Sequence, residues 1–285
     1  MPDRGHSEPV APAPVSAVLQ APADPLAQWR IAHEPYYRPV GDEVAQFRDA
    51  CALRLPLLLK GPPGCGKTRF VEHMAWTLGL PLVTVACHED MAAGDLLGRW
   101  LIDADGTRWQ DGPLTLAARH GALCYLDELI EARPDALTVL HPLADTRRVL
   151  PLERNGELLV AHPRFQLVVS YNPQAGRDLR PATRQRFVAM AFDPPPVAAQ
   201  VAIVVHESGL AVEQAMRLVG LAERTRALDE GADQAISMRM LVRAAQLIAG
   251  GMPARVACEL ALVQAWSDQP ERVQALRALA DALYP

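Results

Sequence analysis

The chain is predicted to adopt an α/β fold, a parallel sheet sandwiched by helices and followed by a C-terminal α-helical lid domain, on three observations. Short apolar runs alternate with helix-compatible stretches between Leu55 and Phe192, a glycine-rich loop stands between the first run and the helix after it, and beyond Pro194-Pro195-Pro196 the pattern is helical to the end. Such alternation places crossover helices on both faces of a parallel sheet.

Taken in order, residues 1–25 are rich in Pro and Ala with little periodic hydrophobicity, and read as a disordered extension. Glu34-Pro35-Tyr36-Tyr37-Arg38-Pro39 leads into an amphipathic helix over Val44–Leu53. The two tyrosines either line a ligand pocket or pack the incoming chain. Strands are expected near Leu55–Lys60, Pro81–Cys87, Ala122–Asp127, Gln166–Tyr171 and Val188–Phe192, making residues 26–195 one α/β domain. Two stretches interrupt it. Gly98–Trp109 carries Asp105-Gly106 between short apolar runs, and Arg148–Val160 carries Asn155-Gly156, so each is expected to form a hairpin. Trp100 and Trp109 are either contact residues of the first hairpin or packing at its base. Residues 196–285 form the lid, with helices expected over Ala198–Ser208, Ala211–Ala227, Met238–Gly250, Pro253–Trp266 and Arg272–Leu283, joined to the sheet by a stiff proline hinge.

The loop Gly61-Pro62-Pro63-Gly64-Cys65-Gly66-Lys67-Thr68 is a full G-x-x-x-x-G-K-[ST] in the strand-to-helix context that phosphate binding requires. Its glycines let several N–H groups converge on one anion, and the following helix adds its positive end. Lys67 is expected to reach the β- and γ-phosphates of ATP, Thr68 to ligate Mg²⁺, and Arg69 to border the same site. The strand Ala122–Leu126 ends in Asp127-Glu128. A carboxylate there can hold the Mg²⁺ shell, which suits Asp127, leaving Glu128 to polarise the attacking water. Asn172 follows the Gln166–Tyr171 strand and either orients that water or merely starts a turn before Pro173.

These motifs resemble the P-loop AAA+ ATPases of the MoxR type. His141–Leu152, Ala161–Pro173 and Arg180–Phe187 are similar in particular to the CbbQ/NorQ (NirQ) family, and the resemblance runs from about Glu34 to the C-terminus. It implies a ring-shaped, usually hexameric remodelling ATPase working beside a von Willebrand factor A domain partner. The implied client is rubisco, freed from inhibitory sugar phosphates, or alternatively nitric oxide reductase. The resemblance also makes Arg186 the finger reaching a neighbour's γ-phosphate, with Arg184 its close competitor. It makes Arg239, in Ser237-Met238-Arg239, a γ-phosphate contact from the lid, within one subunit or across the interface. The two hairpins correspond to the helix-2 insert and pre-sensor-1 hairpin of such proteins. One departure is the stretch Gln174–Leu179 before Arg180, shorter than the family usually shows.

Composition bounds the rest. At 50% hydrophobic and 21% charged residues, the 285-residue chain can bury a substantial core without staples. A net charge of −5 without an aromatic-rich basic patch argues against a nucleic-acid surface. The five cysteines have no C-x-x-C spacing and read as reduced structural thiols, with Cys65 expected to be the most accessible. The histidines form no ligand cluster by spacing, so no transition-metal site is expected. With no long apolar span and no leader, the chain is expected to be cytoplasmic. A scaffold that binds ATP with little turnover is the reading from another class, and its sign would be a damaged Asp127-Glu128 pair or a missing finger.

Overall fold

The computed structural model describes residues 24–104, 106–173, 178–226 and 236–284. The N-terminal extension up to residue 23, Asp105 and residues 174–177 of the short connection lie outside the described residues.

Five parallel strands make the central sheet: β1 (Leu57–Lys60), β2 (Leu82–Ala86), β5 (Leu123–Asp127), β8 (Gln166–Tyr171) and β9 (Val188–Ala191), in the order β2-β5-β8-β1-β9. Because side chains alternate across a strand, the apolar runs split into two cores. Leu57, Leu59, Leu123, Tyr125 and Val168 face one core, shared with Phe47 of α1 (Glu43–Ala52) and Phe70, Val71 and Met74 of α2 (Lys67–Thr77). Leu58, Cys124, Leu126, Leu167 and Val169 face the other, shared with Leu96 of α3 (Ala93–Leu97) and Leu114 and Ala117 of α4 (Pro113–His120). The strand expectations thus hold to within one or two residues at each end. The termini differ because a strand ends where its ladder partner ends, which local sequence does not specify.

Both interruptions are hairpins, but neither turns as its sequence suggests. The first pairs β3 (Gly98–Asp103) with β4 (Gly106–Asp111), closing on Asp103 opposite Gly106. Gly106 therefore lies in the strand at φ +120° rather than at the turn's centre. Between α4 and the second hairpin come α5 (Pro134–Thr138) and α6 (His141–Ala144). The hairpin itself pairs β6 (Val149–Leu152) with β7 (Glu157–Val160), closing on Leu152 opposite Glu157. A 3₁₀ turn over Glu153–Asn155 and a left-handed Gly156 make the link, so only the glycine has positive φ. A two-residue Asn-Gly turn would need it at both.

The hairpins are tied together. Trp100 Nε1 donates to the Arg154 carbonyl at 2.9 Å, and Arg119 on α4 holds Asp111 of β4 at 2.8 Å and Glu157 of β7 at 2.7 Å. Trp100 and Trp109 are cross-strand partners with edge-on rings 5.6 Å apart. Trp109 is half-buried, its indole N–H on Asp111, while Trp100 keeps 47% of its surface exposed.

After α7 (Pro181–Arg184) and β9, the chain crosses Pro194–Pro196 into α8 (Val197–Ser208). Buried Gln200 clips the crossing, its amide donating to the Pro195 carbonyl and to Glu223, both at 2.8 Å. Beyond it lie α9 (Val212–Arg226), α10 (Met238–Ala249), α11 (Ala254–Cys258) and α12 (Pro270–Leu283). They pack Leu218, Leu221, Leu241, Ala244 and Leu276 into a core of their own, which Leu262 of the segment after α11 joins. The helix expected over Pro253–Trp266 is not regular. It passes from α11 into a π turn at Glu259–Val263 and a 3₁₀ turn at Gln264–Trp266.

Candidate nucleotide site

Tyr125, Asp127, Ser170 and Asn172 share parity on adjacent strands, so all four belong to the sheet face that α2 covers. This brings the carboxyl ends of β5 and β8 to the loop between β1 and α2. A cavity of about 800 Å³ opens there, bordered by Tyr36, Lys67, Asp127, Asn172, Glu207 and Arg239.

Within the loop, Gly64 and Gly66 take positive φ of +73° and +102°, which only glycine adopts freely. Gly61 serves differently. A Cβ on it would meet the Phe192 carbonyl oxygen at 2.1 Å, so it is the close approach to Phe192, just past the end of β9, that requires glycine. Lys67 is buried, and its ammonium donates to Gly61 O at 2.8 Å, Pro62 O at 2.9 Å and Asn172 Oδ1 at 2.8 Å. With Cys65 Sγ a longer fourth contact at 3.8 Å, none of its three hydrogens is left over. Burial holds its pKa below the ordinary value, against the pull of Cys65, Asp127 and Glu128. Pro63 and Arg69 border the cavity, Arg69 pairing with Glu72 at 3.2 Å and Glu207 at 3.7 Å. Cys65 corrects the expectation of an accessible thiol: it is 7% exposed, and burial pushes its pKa up. A protonated, enclosed thiol is a poor nucleophile.

Thr68 Oγ1 donates to Asp127 Oδ2 at 3.1 Å. A hydroxyl and a carboxylate so placed beside the loop are the hard oxygen donors that Mg²⁺ takes, so the donor set fits that ion. Glu128 follows in a left-handed conformation, φ +56° and ψ +46°. Its Oε1 accepts from Asn172 Nδ2 at 3.1 Å, so the Asn172 amide bridges Lys67 and Glu128. Arg239 lies on the lid wall of the cavity. Arg186 does not line it. Its Nε pairs with Asp145 at 3.0 Å and its Nη1 with the Ala182 carbonyl, while Arg184 pairs with Asp178 at 2.8 Å.

Both tyrosines after Pro35 border the cavity. Tyr37 bonds Glu43 at 2.9 Å, and Tyr36 stacks on His206 of α8 with ring centroids 3.6 Å apart. With Arg69–Glu207 and the approach of Gly64 to Ser237, that stack gives the lid three contacts around the cavity. Sequence reasoning missed Ser170, Tyr125, His206 and Glu207. Strand parity with Asn172 and Asp127 was the available signal for the first two, and nothing local marks the others.

Residues 56–187 match the AAA domain (dynein-related subfamily), and residues 200–283 match the CbbQ/NirQ/NorQ C-terminal family. The chain is 54% identical to protein CbbQ of Hydrogenophilus thermoluteolus over 261 residues, covering 90% of this chain and 98% of that one. It is 53% identical to the denitrification regulatory protein NirQ of Pseudomonas aeruginosa, covering 87% and 96%. Protein NorQ of Paracoccus denitrificans is 52% identical, with 88% and 94% covered. Among solved structures, a Thermotoga maritima RuvB variant superposes with a TM-score of 0.52 at 15% identity, covering 78% of this chain and 71% of that one. NtrX from Brucella abortus in complex with ADP superposes with 0.50 at 15% identity, covering 74% and 50%. These structural likenesses carry the fold, and the sequence matches carry the family. The chain belongs to the CbbQ/NirQ/NorQ family of AAA+ ATPases and is a Mg²⁺-dependent ATP hydrolase.

Proposed function

We propose that this ATPase is the motor of a ring-shaped, hexameric remodelling machine in the cytoplasm, a rubisco activase acting with a von Willebrand factor A domain partner. The observation carrying this reading is the intact chain Lys67–Asn172–Glu128 beside the Thr68–Asp127 pair, in a cavity whose far wall is the lid. The kinship with CbbQ supports rubisco as client. Kinship of nearly equal degree with NirQ and NorQ supports a second reading, a helper for maturing or activating nitric oxide reductase. An ATP-binding scaffold with little turnover would not need an undamaged Asp127-Glu128 pair and Asn172. Among the described residues no helix is long and apolar enough to cross a membrane.

The site geometry supports the chemistry at Lys67, Thr68, Asp127, Glu128 and Asn172, and the family resemblance supports the roles of Arg239 and Arg186. A triphosphate reaching Lys67 must take one of its three hydrogens from Gly61, Pro62 or Asn172. Bound Mg²⁺ would neutralise phosphate charge, with Thr68 and Asp127 holding it. Glu128 accepts a proton from the water attacking the γ-phosphorus while the bond to the ADP oxygen breaks. Freed from Lys67, the Asn172 carbonyl can orient that same water. Arg239 senses the γ-phosphate from the lid, and Arg186 leaves Asp145 to reach a neighbouring subunit's nucleotide. Loss of the γ-phosphate then turns the lid about Pro194–Pro196, changing the Tyr36–His206 and Arg69–Glu207 contacts.

Paired assays test this. Lys67→Ala should lose ATP binding, whereas Glu128→Gln should bind ATP and stall hydrolysis. With the partner protein added, the wild-type ring should reactivate sugar-phosphate-inhibited rubisco. Activation of nitric oxide reductase instead would select the second reading, and normal turnover by Glu128→Gln would remove that residue from its role.

A further inference from the structure

Two buried hydroxyls close around the acid at the end of β5. Asp127 Oδ1 accepts from Ser170 Oγ at 2.5 Å and from the Tyr125 phenol at 2.8 Å, while Asp127 Oδ2 faces Thr68 Oγ1 at 3.1 Å. Ser170 Oγ also accepts the backbone N–H of Glu128 at 3.1 Å and lies 3.1 Å from the Tyr125 oxygen. Each hydroxyl carries one hydrogen, so with both given to Asp127, the Glu128 N–H is what Ser170 accepts and the Thr68 hydroxyl is what reaches Oδ2. Both side chains are fully buried, so no bulk water can take over either bond.

The consequences differ for the two carboxylate oxygens. With Oδ1 occupied by two donors, the carboxylate plane is fixed and Oδ2 alone is left for the loop side, where Thr68 stands. Glu128, in turn, holds a left-handed backbone uncommon for a long side chain, and Ser170 bonds its amide at that bend. One serine therefore touches the carboxylate on one side and the backbone of the next acid on the other.

We propose that Ser170 and Tyr125 are positioning residues for the divalent cation: they fix Asp127 so that one oxygen serves the cation, and Ser170 also holds the bend that aims Glu128 at the water. The proposal rests on Asp127 being the cation's carboxylate. Hydroxyls that merely satisfied each other inside the core would affect folding stability but would leave the cation requirement unchanged.

The test uses full-length Ser170→Ala, Tyr125→Phe and Asp127→Asn proteins, a fluorescent ATP analogue and magnesium chloride. Affinity is measured in EDTA and across a Mg²⁺ titration, beside ATP turnover and thermal unfolding. Ser170→Ala should bind the analogue in EDTA within about two-fold of wild type, yet need about ten-fold more Mg²⁺ for half-maximal effect, with kcat lowered about 10–100-fold and KM little changed, the usual range for groups behind a metal ligand. Tyr125→Phe, which keeps the ring and its packing, should shift the Mg²⁺ requirement the same way by about three-fold, and carries the test if Ser170→Ala does not fold. An unchanged Mg²⁺ requirement in a folded variant, with Asp127→Asn losing it, overturns the positioning role alone. If Asp127→Asn also keeps a normal Mg²⁺ response, the assignment of Asp127 fails and this proposal with it.

Discussion

The contact between Gly64 of the phosphate loop and Ser237 at the start of α10 can be measured by adding one methyl group. A Cβ on Gly64 would lie 2.5 Å from Ser237 Cβ and 3.2 Å from its Oγ. Carbon atoms in ordinary contact stand about 3.5–4.0 Å apart, so the lid helix or the loop must yield by about 1 Å. Overpacking of this kind costs about 1–3 kcal/mol. Gly64 also sits at φ +73°, where alanine adds about 1 kcal/mol of strain. Gly64→Ala should therefore destabilise the fold by about 2–4 kcal/mol and weaken ATP binding. Ser237→Gly removes the opposing Cβ and a long cap bond to Met240 N at 3.4 Å, and glycine at a helix cap costs only a few tenths of a kcal/mol. In the double variant the clash is gone and only the strain remains. Urea unfolding of the four proteins should give a coupling of about 1–3 kcal/mol in favour of the double variant, with ATP affinity recovering in parallel. Additivity within about 0.5 kcal/mol would show that Ser237 does not press on the loop, and would remove this contact from the lid's coupling to nucleotide.

Other perturbations separate structure from chemistry. Gly61→Ala, with an ordinary negative φ but a Phe192 carbonyl 2.1 Å from the new carbon, should cost about 1–3 kcal/mol in urea unfolding and lower ATP affinity with it. Arg119→Ala breaks its paired bonds to Glu157 at 2.7 and 2.8 Å and to Asp111, and should cost about 1–2 kcal/mol while leaving basal ATP turnover within a few-fold. The bonds from Arg119 hold the Glu157 carboxyl below its ordinary value of 4.5. A carboxylate with a lowered folded pKa stabilises above its unfolded value and loses that contribution as pH falls through the folded one. Thermal unfolding should therefore show an acid loss below about pH 4.5 that is smaller in Arg119→Ala, and identical pH profiles would refute the tie. Arg186→Ala should retain nucleotide binding and lose turnover. Mixed with Glu128→Gln subunits, it should regain some activity where an intact Glu128 site meets an intact Arg186, and a defect carried by Arg184→Ala instead would reassign the finger.

The local spacing of residues determined the phosphate loop, the five strands, the carboxylate pair and the change to helices after Pro196. Each is a short-range pattern: apolar alternation, a glycine-lysine-threonine run, or acids at a strand's end. Strand parity even held the clue that Tyr125, Asp127, Ser170 and Asn172 face α2, although the motif residues alone drew attention. Tertiary structure decided the rest, because those contacts join residues far apart in the chain. The Lys67–Asn172 bond spans 105 positions, and Trp100 to Arg154 spans 54. The need for glycine at 61 comes from Phe192, and the enclosure of Cys65 comes from the core around it. Turn geometry went the same way: Asn155-Gly156 favours a two-residue turn, but pairing that closes on Leu152 and Glu157 leaves four residues to span, so the chain takes a 3₁₀ turn with a single left-handed glycine. Pairing register is set by the packing of whole strands against α4 and the neighbouring hairpin, and no window of local sequence contains those partners.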